Sequence, residues 1–148
     1  MKRAGHQIMI AALMCRKQGA LKRSDEVIVP AVSWSTTYHP LQQYGLKQKL
    51  VDIDRATLNL DLGQLQSAVT DGTKAILTVS LLGNPNDFAE ILRIIGQRGI
   101  LLLEDNCESL VAVFDGKQAG THGLMGTFSS FFSRNIATME GGFGRDGR

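Results

Sequence analysis

Two runs of apolar residues, 75–82 and 100–103, constrain the fold of this 148-residue chain more than any other feature. Each run is almost continuously apolar, which is typical of a strand covered on both faces. Between them, residues 87–96 have the apolar spacing of a helix. A strand, a helix and a second strand in this order predict a parallel pair of strands joined by a right-handed crossover.

The same alternation continues along the rest of the chain. Further strands and helices are predicted as follows: strands at 26–29, 50–54 and 126–133, and helices at 8–14 and 62–69. The hydroxyl-rich segment 33–37 is predicted to cap a further helix, and residues 141–148 are predicted to form a loop. We therefore expect an α/β fold in which a mostly parallel sheet has helices on both faces.

The charge and cysteine content argue against several classes of function. Sixteen Lys and Arg against fourteen Asp and Glu give a net charge of +2, which is too small and too dispersed to predict a nucleic-acid partner. The longest uncharged apolar stretch is far shorter than the roughly 20 residues of a membrane helix, so no membrane partner is predicted. Two cysteines in unrelated surroundings are typical of a reduced, cytoplasmic protein. Three histidines at unrelated positions predict no metal site.

Side chains that could carry chemistry follow three of the predicted strands. Residues 104–108 supply carboxylates, the loop after the first strand supplies Trp34, and the last predicted strand supplies Ser129. Ligands of open α/β sheets bind at the carboxyl ends of the strands, and a flat, phosphorylated, heteroaromatic cofactor would use these three kinds of side chain. A purely structural interpretation is also open, in which these residues bind no cofactor, because Asp105 could cap a helix and Trp34 could belong to the core. Cys107 lies between acids and is expected to be packed rather than nucleophilic.

Five short segments occur in an order that is found in one enzyme family. They are residues 30–37 (PAVSWSTT), 52–54 (DID), 83–85 (GNP), 104–109 (EDNCES) and 138–142 (TMEGG). With these segments the chain resembles the DegT/StrS family of nucleotide-sugar aminotransferases, which use pyridoxal phosphate (PLP) and have the aspartate aminotransferase fold. Within that family it is most similar to the sugar-nucleotide 3-dehydratases. Family members are much longer, so the resemblance implies that residues 1–148 form a single, incomplete PLP-binding large domain.

The resemblance implies a role for each residue that matches a family motif. Asp105 matches the acid that bonds the pyridine nitrogen of PLP, and Glu108 matches a position that supports the ring. Trp34 matches the aromatic residue that stacks on the ring, and Ser129 matches the serine that binds the phosphate. Arg134 stands at the catalytic position, where aminotransferases have the Schiff-base lysine and dehydratases have a histidine base. A guanidinium stays protonated and can serve as neither, so we expect Arg134 to be non-functional.

The resemblance also implies partners, and two hypotheses of function follow. Members bind PLP or pyridoxamine phosphate, take a nucleotide-linked 4-keto sugar with glutamate as amino donor, and form homodimers in deoxysugar and O-antigen lipopolysaccharide synthesis. In this chain residues 1–6 replace a Gly-Ser-Ser-Ala-Asn turn that cradles the cofactor phosphate in members. One hypothesis is a 3-dehydratase or aminotransferase. The alternative is a truncated, catalytically inactive fragment, or a remnant that pairs with an intact subunit.

Overall fold

Strands and helices alternate along the chain, as the apolar spacing predicts. The computed structural model describes residues 2–130 and 142–146. The elements are α1 (Lys2–Met14), β1 (Glu26–Pro30), α2 (Ser35–Gln43), β2 (Lys47–Val51), α3 (Leu62–Ala68), β3 (Thr73–Val79), α4 (Phe88–Ile95), β4 (Leu101–Asp105), β5 (Val113–Phe114), β6 (Lys117–Gln118), β7 (Met125–Ser129) and β8 (Gly142–Asp146). None of the helices in these two ranges has the length and apolar character needed to cross a membrane.

Six of the strands form one sheet in the order β2-β1-β3-β4-β7-β8. All neighbours are parallel except β7 and β8, which are antiparallel, while β5 and β6 pair separately as a short antiparallel ribbon. The chain runs outward from β1 to β2, then returns to the other side of β1 to form β3, β4 and β7. The direction therefore reverses between β1 and β3, and the carboxyl ends of strands at such a reversal are where open α/β sheets bind ligands.

Helices cover both faces of the sheet, which confirms the predicted layers. Successive residues of β3 point to opposite faces: Ile76 packs in the cluster formed with α3 and α4, whereas Ala75 and Leu77 pack in the cluster formed with α1 and α2. All three side chains are fully buried. A strand that is buried on both faces lacks the alternation of polar and apolar residues of a half-exposed strand. This explains the continuous apolar run that predicted β3.

The helix predicted at residues 87–96 is present as α4, with the ends that the sequence indicates. The Asp87 carboxylate accepts a hydrogen bond from the Glu90 backbone N–H at 3.0 Å, so that it satisfies a donor of the first turn. The helix ends at Gly96, whose φ of +54° favours glycine. Its buried face includes Phe88 and Ile91, which anchor α4 on the sheet.

Two predicted boundaries at the edges of the sheet were wrong. The second strand is Lys47–Val51 and not residues 50–54, because β2 is an edge strand whose partly exposed, polar residues give no apolar run. The segment predicted as a loop over residues 141–148 contains a strand, β8, over Gly142–Asp146. Pairing with β7 places this glycine-rich segment in the sheet, although its own strand propensity is low.

Three smaller corrections concern the loops that follow β1, β3 and β7. Strand β3 ends at Val79 rather than at residue 82, since Leu82 adopts a φ of +52° in a single 3-10 turn. Helix α2 starts after Trp34 with no side-chain cap, so the predicted capping role of segment 33–37 was wrong. Strand β7 ends at Ser129, and residues 131–133 of its predicted range lie outside the described residues.

Candidate active site

Four elements meet at the carboxyl edge of the sheet, around the end of β4. Asp105 is the last residue of β4, and Thr127 of β7 is its partner in the register of the two strands. The loop after β1 leads into α2, which places Thr37 beside Asp105. Helix α1 brings the side chain of His6 to the same place from the start of the chain. The fold therefore surrounds one carboxylate with polar groups from distant parts of the sequence.

Asp105 is buried and hydrogen-bonded through both oxygens of its carboxylate. Oδ1 accepts the backbone N–H of Cys107 at 3.1 Å. Oδ2 accepts the hydroxyl of Thr37 at 2.9 Å and lies 3.0 Å from Nε2 of His6. Because an ionised carboxylate only accepts, Nε2 of His6 must carry the hydrogen in this pair. The Thr127 hydroxyl lies 3.2 Å from the same ring nitrogen.

The surroundings of Asp105 keep its carboxylate ionised. Burial by itself raises the pKa of this carboxyl group, but the charge of His6 and the hydrogen bonds from His6 and Cys107 outweigh that effect and lower the pKa to about 2. The opposite holds for the neighbouring thiol, because burial and the negative charge of Asp105 raise the pKa of Cys107. The edge thus presents a fixed negative charge and an unreactive thiol, which agrees with the predicted packed cysteine.

Trp34 and Glu108 lie together in the loops that follow β1 and β4. The indole Nε1–H of Trp34 donates to Oε1 of Glu108 at 2.9 Å, and the backbone N–H of Leu82 donates to Oε2 at 3.1 Å. The indole is 58% exposed, so it is an outer surface of the site rather than a core residue. Glu108 therefore links the exposed indole to the turn after β3, and an indole in such a position can pack against a flat ligand.

The described site residues with predicted cofactor roles lie at one edge of the sheet. They are Trp34, Asp105, Glu108 and Ser129. Ser129 ends β7 two positions after Thr127 and is buried. Arg134, the predicted catalytic position, lies outside the described residues. The individual roles of these five residues stay predictions.

Buried polar atoms at the ends of β3 and β4 indicate that this edge is built for a polar ligand or for water. Among the described residues, Ser80 Oγ, Asn86 Oδ1 and both polar atoms of the Asn106 side chain have no hydrogen-bond partner. Such atoms are costly to bury and are normally satisfied by an ordered molecule. A charged heteroaromatic ring fits this edge of the sheet, because the edge has an ionised acid, an exposed indole and polar atoms without a hydrogen-bond partner.

Three members of the site, His6, Thr37 and Thr127, are absent from the residues singled out in the sequence. Thr37 belongs to the hydroxyl-rich segment after β1, so its position was marked but its role was not. His6 and Thr127 give no local signal, because they are 121 positions apart and meet only when α1 packs beside β7. The helix predicted at residues 8–14 begins at Lys2 in the structure, so His6 lay outside the predicted element and its place on the buried face of α1 was not visible.

His6, Asp105 and Cys107 also form a group of potential metal ligands. One donor atom from each lies within 4.8 Å of the others, and all three residues are buried. Nε2 of His6 and the Cys107 thiol both hydrogen-bond to the Asp105 carboxylate, so the same atoms already interact with one another. The prediction that the chain has no metal site stays a prediction.

The fold and the site together define a class of protein. A mostly parallel α/β sheet with helices on both faces is the fold that this chain shares with PLP-dependent sugar enzymes, and here a central strand of the sheet ends in an ionised aspartate. The model of the DegT/DnrJ/EryC1/StrS aminotransferase family matches residues 5–144 of the sequence. The chain belongs to this family, as the five sequence segments predict.

Similar proteins within the family are sugar-nucleotide enzymes. A GDP-4-keto-6-deoxy-D-mannose 3-dehydratase of Escherichia coli O55:H7 is 70% identical over 135 residues, which cover 91% of this chain and 35% of that protein. A crystal structure of a GDP-4-keto-6-deoxymannose-3-dehydratase variant with bound GDP-perosamine superposes with a TM-score of 0.96 at 64% identity, covering 99% of this chain and 38% of that one. A structure of the same kind of enzyme with a trapped PLP-glutamate geminal diamine gives 0.97 at 64% identity, over the same shares of the two chains. This chain therefore spans little more than a third of the length of these relatives.

Proposed function

We propose that this chain is the cofactor-binding part of a PLP-dependent enzyme that acts on a nucleotide-linked 4-keto-6-deoxy sugar, in the 3-dehydratase branch of the family. The observation that carries the proposal is the buried, ionised Asp105 carboxylate at the carboxyl end of β4, which hydrogen-bonds to Thr37 in the helix that follows Trp34. PLP supplies an electron sink when its pyridine nitrogen is protonated. Asp105 would hold that proton, because its pKa of about 2 keeps it negative at any physiological pH.

The other site residues would bind and orient the cofactor. The exposed face of Trp34 would cover the flat ring, while Glu108 holds the indole in place through Nε1. Ser129 would donate its hydroxyl to the phosphate, as the family motif implies. The sugar nucleotide and glutamate are proposed as partners because the relatives bind GDP-perosamine and a PLP-glutamate adduct. A homodimer and a cytoplasmic location are proposed on the same family grounds.

A second candidate is a chain that has lost turnover, and Arg134 favours it. The family lysine or histidine at this position forms the covalent link or moves the proton, and a guanidinium does neither near neutral pH. In this form the chain binds PLP without turnover, or serves only to pair with an intact subunit. Both candidates share the family fold, and they differ in whether the site supports turnover.

A titration with PLP tests the proposed cofactor site. Trp34 is the only tryptophan in the chain, so quenching of its fluorescence reports binding next to the indole. We expect PLP to quench it, and we expect Asp105→Asn to weaken the affinity at least tenfold. Asp71→Asn changes an exposed acid outside the site and should leave the affinity unchanged. If the Asp105 variant bound PLP as well as the original chain, the proposed site would be wrong.

Borohydride reduction separates the two candidates. With Arg134 in place we expect no covalent attachment of PLP, whereas Arg134→Lys should give a stable adduct at that lysine after reduction. Turnover of a GDP-linked 4-keto sugar by the unmodified chain would reject the inactive candidate. The absence of any PLP signal, together with co-purification with an intact 3-dehydratase, would instead favour the subunit-pairing remnant.

A further inference from the structure

The hydrogen-bonding capacity of the Asp105 carboxylate is already used by the chain itself. Its two oxygens accept the backbone N–H of Cys107, the hydroxyl of Thr37 and the ring N–H of His6, and the Cys107 thiol hydrogen-bonds to the same group. An ionised carboxylate offers about four lone-pair positions. These donors therefore fill the carboxylate, and a further N–H donor must displace one of them.

His6 differs from the other donors in its chemistry and its origin. Thr37 lies in the first turn of α2 and Cys107 in the loop after β4, so both donors come from segments that follow strands of the sheet. His6 reaches the carboxylate from α1 and is almost completely buried there, with 1% of its surface exposed. It alone among these donors is an aromatic nitrogen that can carry positive charge. A ring N–H facing a carboxylate is also the arrangement that a protonated pyridine would make.

We propose that His6 is an internal competitor for the cofactor, whose imidazole N–H occupies the acceptor on Asp105 that a pyridine ring nitrogen would use. The inference rests on the proposed cofactor site. PLP binds only the fraction of molecules in which His6 has left Asp105, so the apparent dissociation constant is raised by the inverse of that fraction. The hydrogen bond from His6 also stabilises the buried carboxylate, because a buried ion without such donors is costly.

The test is the affinity of the full chain for PLP when the His6 donor is removed. His6→Leu has similar volume and no N–H, so Asp105 regains one lone pair. We expect PLP to bind at least tenfold more tightly, a change that corresponds to about 1.4 kcal/mol. His6→Gln keeps an N–H donor and should stay near the original affinity. His39→Leu alters an exposed histidine of α2 and should have no effect.

The readouts are the quenching of Trp34 fluorescence and the absorption of bound PLP, and neither requires turnover. Unchanged or weaker binding by the His6→Leu chain would overturn the proposal. If the original chain binds PLP through Asp105 and His6→Leu does not increase the affinity for PLP, His6 is not a competitor, but the proposed cofactor site is still supported. If the increase in PLP affinity persists after Asp105→Asn is added to His6→Leu, PLP binds elsewhere. Both the proposed function and the competitor role would then be wrong.

A measurement on the unaltered chain covers the case in which His6→Leu does not fold. Nitrogen-15 NMR of the histidine rings reports whether Nε2 of His6 donates to a carboxylate. We expect the His6 signal to change on saturation with PLP, while the signal of His39 stays in place. A His6 signal that is the same in the presence and absence of bound PLP would contradict the displacement.

Discussion

At the scale of single residues, the central fact is a carboxylate that stays charged although it is buried. Asp105 is 5% exposed, and burial alone would favour its neutral form. His6, Thr37 and Cys107 reverse that preference by donating to it. The ionised form of Asp105 therefore contributes to the stability of the fold, because the Asp105 carboxyl group binds its proton less tightly in the folded chain than in the unfolded chain.

We predict that this contribution depends on pH in a defined direction. The pKa of Asp105 falls from an ordinary value of 3.8 to about 2, so its contribution is complete above pH 4 and is lost as the pH falls towards 2. The shift corresponds to about 2 kcal/mol. Urea unfolding of the original chain and of Asp105→Asn should therefore differ most at pH 6 and progressively less below pH 4. A difference that stayed constant with pH would contradict the assignment.

The two cysteines should differ in reactivity. Burial and the adjacent Asp105 raise the pKa of the Cys107 thiol, and the thiolate is the reactive form. Cys15 is exposed after the end of α1. A thiol reagent should therefore label one cysteine per native chain, at Cys15, and both in urea. Rapid labelling of Cys107 in the folded chain would show that the end of β4 opens to solvent.

At the scale of elements, the sequence was informative where a local signal coincides with packing. Helix α4 was predicted with its ends because Asp87 and Gly96 mark the boundaries of an apolar pattern. Strand β8 was missed because Gly142 and its neighbours become a strand only by pairing with β7. The acid and indole of the site were predicted from motifs. His6 was missed because its contact with Asp105 depends on tertiary packing, which no local pattern reveals.

The cap of α4 should make a measurable contribution to stability. Asp87→Ala removes the acceptor for the Glu90 N–H, which should lower the free energy of unfolding by about 1 kcal/mol. Asp71→Ala serves as the control, because Asp71 is an exposed acid outside every described helix. Urea unfolding measures both. An equal loss in the two variants would mean that net charge, rather than the cap, is responsible.

The turn before β7 depends on a glycine. Gly120 has a φ of +91°, its N–H donates to the buried carboxylate of Glu104 at 2.5 Å, and an added methyl group would overlap the ring of Phe128. Gly120→Ala should cost about 3 kcal/mol of stability. Gly116→Ala has a similar φ of +72° with open space around it, so about 1 kcal/mol is expected there. Similar losses at the two sites would show that steric overlap is not the cause.

At the scale of the whole molecule, exposed apolar side chains gather beside the candidate site. Trp34 and Leu82 are 58% and 75% exposed, and both hydrogen-bond to Glu108, while Val32 is exposed in the loop before Trp34. Exposed apolar side chains that lie close together favour association with another surface. We therefore expect the isolated chain to associate with itself and to have low solubility.

Replacing one side chain of this surface should weaken the association. Leu82→Asn removes an exposed apolar group and places a residue that tolerates a φ of +52°. Sedimentation velocity over a range of concentrations should show less association than for the original chain. Leu92→Asn, a matched change at an exposed position of α4, should reduce the association less. A monomeric original chain that unfolds cooperatively would contradict the prediction.

The contact between His6 and Thr127 has a consequence for the order in which the molecule is made. The two residues are 121 positions apart, and a ribosome adds about 5–20 residues per second. Helix α1 therefore leaves the ribosome several seconds before β7, the strand beside which its buried histidine comes to lie. During that interval the nascent chain cannot complete the contacts of its buried histidine, so the native arrangement around Asp105 forms only after most of the described chain has been made.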